Sequence, residues 1–341
     1  MKKNYFMLAA AALMFAACAE TDFVNPVPVN EGEVIGFETF ANNSTRALNG
    51  TNLEDYTTTF GVWAYKTPTG GGGEVTVMDN YQVVNTTGTS NWSYAGQGPS
   101  SDQVLKYWDK LASYEFFAYA PYQASGVTIA SDVISIADGE YAANENLQTT
   151  WGTSLNNTAN FSGTGAATDK STDWMVATKI ERAAAANDIV NETFYHTMSK
   201  LVVILKSTVK NTDVTSVSVG NVYGTGKCEV SATTSAVTAT WTPTGAVKFI
   251  PGVTGAITDI DEGYYSMEYL LIPSATVPTF SINYTINGEP YVVTNTAISA
   301  ITSFEENTIY TLTVTIGPNP IVFDATAEAY STPLTPGVDI H

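Results

Sequence analysis

Through most of the chain, apolar and polar residues either alternate or gather into short β-branched and aromatic runs, each closed by Gly, Pro, Asn or Asp. Alternation with a period of two sends successive side chains to opposite faces of a strand. It predicts strands at 34–40, 60–65, 75–78, 81–84, 105–108, 114–120 and 127–136. In the second half strands are expected at 192–196, 201–206, 214–222, 236–241, 246–249, 267–272, 280–286, 291–294 and 310–316. One helix is expected at 297–304, and a helical turn or linker at 183–186. Residues 70–73 are all glycine and read as a loop. No Lys-Ser or Lys-Thr follows them, so they lack the signature of a phosphate loop. Residues 138–171 form a long polar stretch in which Leu147 and Trp151 are the expected anchors. Many short strands with little helix predict an all-β chain built of sandwiches, because parallel βαβ sheets need crossover helices that this pattern lacks.

The two ends of this series carry the same short pattern. Ile35-Gly36-Phe37-Glu38-Thr39 and Ile321-Val322-Phe323-Asp324-Ala325 both read Ile-x-Phe-acid-small. As strands, each offers Ile and Phe to one side and an acid to the other, and Ala325 and Ala327 continue the inward row of the second. Two strands of one pattern are candidates for the same slot. The plain alternative is two ordinary edge strands. Gly317-Pro318-Asn319-Pro320 breaks the chain before the second copy and gives it freedom to leave the body. Beyond the first copy, Ser44-Thr45-Arg46-Ala47 forms a polar turn around one of only two arginines, the other being Arg182.

Composition narrows the function. The 341 residues carry 14 Lys and Arg against 33 Asp and Glu, a net charge of −19. Nucleic acid is not an expected partner, since phosphate binding needs clustered cations. Met1-Lys2-Lys3 followed by an apolar run at 6–17 is a secretion signal too short to span a bilayer. It ends in Phe15-Ala16-Ala17-Cys18, which resembles a bacterial lipoprotein cleavage site with Cys18 as the lipidated N-terminus; an ordinary signal peptide containing Cys is the alternative. Residues 19–32 then read as a tether. Cys228 remains alone, so the mature chain has no intramolecular disulfide, and the alternation around it predicts burial.

Catalytic chemistry has little to draw on. There are two histidines, His196 and His341. His196 lies in a strand pattern and reads as structural, Asp169 and Asp173 have no assigned partner, and no enzyme activity is expected. Asp259-Ile260-Asp261-Glu262-Gly263 is an acidic turn without the remaining ligands of a calcium loop, and no Cys/His spacing suggests zinc. No cofactor or metal is expected. Trp92, Trp151 and Trp241 lie near polar loops, where they suit either a core or a sugar-stacking surface.

Several of these motifs occur together in an order that resembles the fimbrillins, lipoprotein-derived type V pilins of gram-negative gut and oral bacteria. They are the lipobox at Cys18, the strand from Val34, Ser44-Thr45-Arg46-Ala47, Leu105-Lys106-Tyr107-Trp108, Phe116-Phe117-Ala118-Tyr119-Ala120-Pro121 and Asp173-Trp174-Met175-Val176-Ala177. Phe194-Tyr195-His196-Thr197-Met198-Ser199-Lys200-Leu201 is similar to the family's Phe-x-His-x-Leu-Ser-Lys-Leu, with Met198 in place of Leu. Asn307-Thr308-Ile309-Tyr310-Thr311-Leu312-Thr313-Val314 and Ile321-x-Phe323 complete the set, and Tyr330 stands where the family often has Trp.

The resemblance implies two tandem transthyretin-like β-sandwich domains. The expected division is a signal peptide at 1–18, a tether and removable strand at 19–46, domains at 47–186 and 187–320, and a donor strand with tail at 321–341. It further implies export to the outer membrane through a lipid and cleavage after Arg46 by an arginine-specific protease. Assembly with other fimbrial subunits then follows by strand exchange into an adhesive surface fibre whose ligand is open. The alternatives are a surface glycan-binding lipoprotein and a fimbrial anchor or tip subunit that does not polymerise.

Overall fold

The computed structural model describes residues 33–41, 53, 57–85, 92–98, 103–141, 148–152, 172–185, 188–251, 257–318 and 321–329. In the first half the strands are β1 (Phe37–Ala41), β2 (Thr59–Pro68), β3 (Val75–Asn85), β4 (Trp92–Ser93), β5 (Ala112–Ala120), β6 (Val127–Ala130), β7 (Val133–Glu140), β8 (Gln148–Gly152), β9 (Met175–Ala177) and β10 (Ile180–Arg182). There follow β11 (Val190–His196), β12 (Ser199–Ser207), β13 (Thr212–Val222), β14 (Thr225–Ala232), β15 (Val237–Pro243), β16 (Lys248–Pro251), β17 (Tyr264–Leu271), β18 (Thr279–Ile286), β19 (Glu289–Ala297), β20 (Thr308–Ile316) and β21 (Val322–Ala329). The fold is all-β, as the alternation predicts. Among the described residues no helix is long and apolar enough to cross a membrane.

Four sheets result. The first has eight strands, ordered β1-β11-β9-β5-β2-β3-β4 with β10 also on β5. The second runs β15-β14-β7-β6, the third β21-β20-β12-β17-β8 and the fourth β16-β13-β18-β19. The chain does not lay these down one after another. β11, beyond the expected division at 186/187, pairs with β1 and β9 in the first sheet. β14 joins β7 across the two halves, and β8 joins β17.

Three cores follow from the alternation. On β2 and β5, Phe60, Val62, Ala64, Tyr114, Phe116 and Ala118 enter one core with Trp92, Tyr94 and Trp108. Trp63, Phe117 and Tyr119 point the other way, into a core shared with Ile134, Cys228 and Val230 of the second sheet. The first sheet is therefore buried on both faces, which is why its β5 reads as a nearly continuous apolar run. The third and fourth sheets enclose Leu201, Val203, Leu205, Val217, Val219, Leu271, Phe280 and Leu312. Gly61 is required where it stands: a Cβ there would come within 2.2 Å of the Tyr119 ring.

Some local expectations change. Residues 297–304 are not helical; β19 ends at Ala297, a turn follows in which Ile301 N–H donates to Ile298 O at 2.9 Å, and Phe304 bridges Ser274. The three-residue spacing of buried Ile298, Ile301 and Phe304 imitated a helical stripe because one tight turn has the same repeat. Residues 105–108 are extended but form only an isolated bridge, Tyr107 to Val34. The strands expected at 75–78 and 81–84 are one, β3, interrupted by an irregularity in its pairing with β2 where Asn80 takes a positive φ of 46°. Leu147 lies outside the described residues.

The motif from Phe194 to Leu201 crosses between sheets. Phe194 fills the first core, Met198 the second and Leu201 the third. The link Thr197–Met198 is pinned from several sides. Thr197 N–H donates to Trp174 O at 2.8 Å, Trp241 Nε1–H to Thr197 O at 2.6 Å, and Asn307 N–H to Met198 O at 3.1 Å. Lys200 Nζ then lies 2.6 Å from Glu268 Oε2, with side chains only 3% and 4% exposed. A buried pair of this kind stabilises little over an apolar replacement, yet removing one partner strands a charge. Lys200→Met is expected to cost about 3–5 kcal/mol in urea unfolding followed by tryptophan fluorescence. Combining it with Glu268→Leu should recover most of that loss; a double-variant loss equal to the sum of the two single-variant losses would show that the pair is not coupled.

Candidate functional site

The first end strand is built into the body. Ile35 N–H donates to Lys106 O at 2.9 Å, Trp108 N–H to Glu33 O at 3.0 Å, and Val190 N–H to Gly36 O at 2.9 Å. From Phe37 onward β1 runs parallel to β11, in register Phe37 with Val190 through Ala41 with Phe194. Ile35 and Phe37 are 0% and 4% exposed, as their expected inward face requires. The Phe37 ring stands edge-on to Phe60 at 5.7 Å, Tyr94 at 6.0 Å and Phe116 at 6.2 Å. Burial of two such side chains is worth about 1.5–3 kcal/mol each. Tyr94 fastens the strand to its neighbour: its hydroxyl donates to Ile35 O at 3.0 Å and accepts from Lys106 N–H at 3.0 Å. Burial pushes the pKa of that phenol up to about 12.

The other end strand sits differently. β21 lies antiparallel along β20 at the edge of the third sheet, from Thr308 opposite Ala329 to Thr315 opposite Val322. Ile321, Phe323 and Ala325 pack against the third core but are only partly buried, and the Phe323 ring meets Phe280 at 5.6 Å. Val322 is 57% exposed. Ala327 is exposed, so the inward row stops at Ala325. The two strands thus share the spacing and facing of Ile and Phe while differing in depth: one is embedded, the other laid over an edge. Cys18, Arg46, Ala47 and Tyr330 lie outside the described residues.

Between β1 and β11 sits a group that the sequence reading passed over. Glu192 pairs in register with Thr39 and is fully buried. It shares its face of β11 with Val190 and Phe194, both in the first core. The alternation Val190-Asn191-Glu192-Thr193-Phe194 was the available signal, since it sets Glu192 on the apolar side.

The remaining candidates are structural. His196 Nδ1 lies 2.9 Å from Asp173 Oδ2, which supplies the partner that the sequence left unassigned. Asp169 lies outside the described residues. In the acidic turn, Asp261 Oδ1 accepts Thr212 N–H at 3.2 Å, and Asp259 N–H donates to Asp213 Oδ1 at 2.9 Å. These carboxylates tie the 3-10 turn Ile260–Glu262 to β13. Cys228 is buried in the second core, and burial pushes its thiol pKa well up, which makes it a poor nucleophile. Trp92 and Trp241 belong to the first and second cores. Nothing is described of the Trp151 side chain.

Comparison with known proteins agrees with this architecture. A fimbrillin-like family profile matches residues 45–329. No curated protein matches the chain. Among solved structures, a fimbrial protein from Bacteroides vulgatus superposes with a TM-score of 0.56 at 15% identity, covering 88% of this chain and 100% of that one. A candidate cell adhesion protein from Bacteroides uniformis superposes with a TM-score of 0.50 at 18% identity, covering 87% and 98%. At such identities the superpositions speak for the fold alone, whereas the profile spans most of the sequence. The chain belongs to the fimbrillin-like family.

Proposed function

We propose that this chain is a structural fimbrial subunit that polymerises by strand exchange. In this reading it is exported as a lipoprotein through Cys18 and reaches the outer membrane and cell surface. An arginine-specific protease cuts between Arg46 and Ala47, β1 leaves its slot, and the strand of Ile321, Phe323, Ala325 and Ala327 from a neighbouring subunit takes its place. The observation that carries the reading is the match between the two end strands together with their unequal burial. The strand that must be removed is locked inside the first core. The strand that must be donated lies on an edge and follows the strand-breaking sequence Gly317-Pro318-Asn319-Pro320.

Physical reasoning supports the exchange. Taking β1 away uncovers an apolar groove and the unpaired edge of β11, which is a template for another strand. A donor embedded there gains full burial of Ile321 and Phe323, which their present edge position gives only in part. Donation from head to tail is a heterologous contact and extends into filaments. The glycan-binding alternative draws less support, since Trp92 and Trp241 are core residues.

Digestion of the unlipidated precursor by an arginine-specific protease tests this directly, read by intact mass and then electron microscopy. One cut after Arg46 is expected in the folded protein. Arg182 should stay uncut until the chain is denatured, because it is held in β10 against β5 with Arg182 opposite Tyr114. Filaments should follow the cut and be lost when 321–341 is deleted. A cleaved chain that stays monomeric would favour an anchor or tip subunit, and resistance at Arg46 would overturn the processing step.

The two strands should also respond differently to mutation. Phe37→Ala is expected to destabilise the precursor by about 3–5 kcal/mol. Phe323→Ser should cost roughly 1–2 kcal/mol there, in keeping with partial burial, yet abolish filaments. Denaturant unfolding of both precursors beside the filament assay checks this; normal filaments from Phe323→Ser would remove the donor assignment.

A further inference from the structure

Glu192 stands in a place where a carboxylate is costly. It has no exposed surface, and among the described residues neither of its oxygens has a hydrogen-bond partner. The hydroxyl of Thr39, its register partner on β1, is likewise buried and unpartnered among the described residues. Around it the first core is apolar: β1 and the residues just before it bring Phe37 and Ile35, β9 brings Met175 and Ala177, and β5 brings Phe116 and Tyr114. The Tyr114 hydroxyl is engaged by Asp109 N–H at 2.7 Å. On β11 itself His196 is held by Asp173, and Glu38 alternates to the opposite face of β1. Among the described residues, the cation acting on Glu192 is Arg182 of β10. Its Nε makes no hydrogen bond among the described residues and lies 3.8 Å from Asp188 Oδ2, so a second carboxylate competes for it.

We propose that Glu192 is a proton-linked latch on β1: the neutral carboxyl lets β1 seat, and its ionisation loosens the strand. The argument rests on β1 being a strand that leaves, as in the function proposed above. With β1 in place the acid is sealed from water, and a buried charge without hydrogen bonds is strongly disfavoured. With β1 gone, one wall of that enclosure is missing and water can solvate the ion. The open state therefore releases a proton that the closed state keeps.

The direction of the pH dependence follows. Burial first, opposed by Arg182, raises the Glu192 pKa from 4.5 to about 8. Between those values the closed state binds more protons than the open one, so seating of β1 is strongest in acid and weakens as pH rises, levelling off above about 8. The ceiling is one proton, a change of about tenfold in the opening equilibrium per pH unit.

Hydrogen exchange on the intact, uncut chain reads this latch without any polymerisation step. The peptide covering 33–41 would be followed from pH 5.5 to 8, with its rates divided by the intrinsic chemical exchange rate at each pH. Its opening constant is expected to rise with pH by up to about tenfold per unit, while that of β21 stays level. In Glu192→Gln the β1 profile should become flat. A flat wild-type profile, a rise shared equally by β21, or an unchanged slope in Glu192→Gln would overturn the latch. If Glu192→Gln does not fold, the wild-type contrast between β1 and β21 decides. A failed filament assay would remove the exchange mechanism and leave this exchange profile standing, so the two ideas fail separately.

Discussion

The edge of β11 has to be paired, and the cleft beside it has to be filled. β11 presents a row of backbone donors and acceptors next to a core lined by Phe60, Tyr94 and Phe116, and leaving either the row or the cleft open to water is unfavourable. β1 and the residues leading into it meet both needs at once, through the parallel ladder and through Ile35 and Phe37. The surrounding aromatic residues and the Tyr94 clamp are arranged about that strand. The opposite end of the chain faces a milder constraint. β20 is already paired with β12 on its other side, so β21 adds cover without completing a core.

Much of this was legible in the residues. Ile35, Phe37, Ile321 and Phe323 face inward as period-two alternation requires, because the facing of a strand residue is a local property. What alternation cannot give is partnership between distant strands. The parallel pairing of 37–41 with 190–194, and the joining of β7 to β14, have no local signature, since loops of any length leave the short-range pattern unchanged. Failures within local reading had local causes. The turn after Ala297 places Ile298, Ile301 and Phe304 on one side with helix-like spacing. Residues 105–108 have strand composition yet pair only through one bridge and the hydrogen bonds around Ile35. Glu192 was readable from its neighbours and was passed over because a carboxylate is expected to face water.

The family signature gains a physical meaning from the sheets it spans. In Phe194-Tyr195-His196-Thr197-Met198-Ser199-Lys200-Leu201, Phe194, Met198 and Leu201 serve three different cores, with His196 and Lys200 tied to Asp173 and Glu268. A segment that must satisfy three cores and two carboxylate partners within eight residues tolerates little change. Met198 in place of Leu is a small one, because an unbranched thioether fills an irregular apolar gap with little strain.

That same segment joins β11, the neighbour of β1, directly to β12, the neighbour of β20, with only Thr197 and Met198 between them. In a fibre of the kind proposed, a pull arriving through the donated strand passes along the covalent chain to β20, and then to β12 through a parallel ladder running from Ser199 with Thr308 to Ser207 with Ile316. From there it reaches β11 along the covalent chain. Tension then crosses each subunit by a short route, and the parallel ladder is loaded in shear, so its hydrogen bonds resist together instead of parting one at a time.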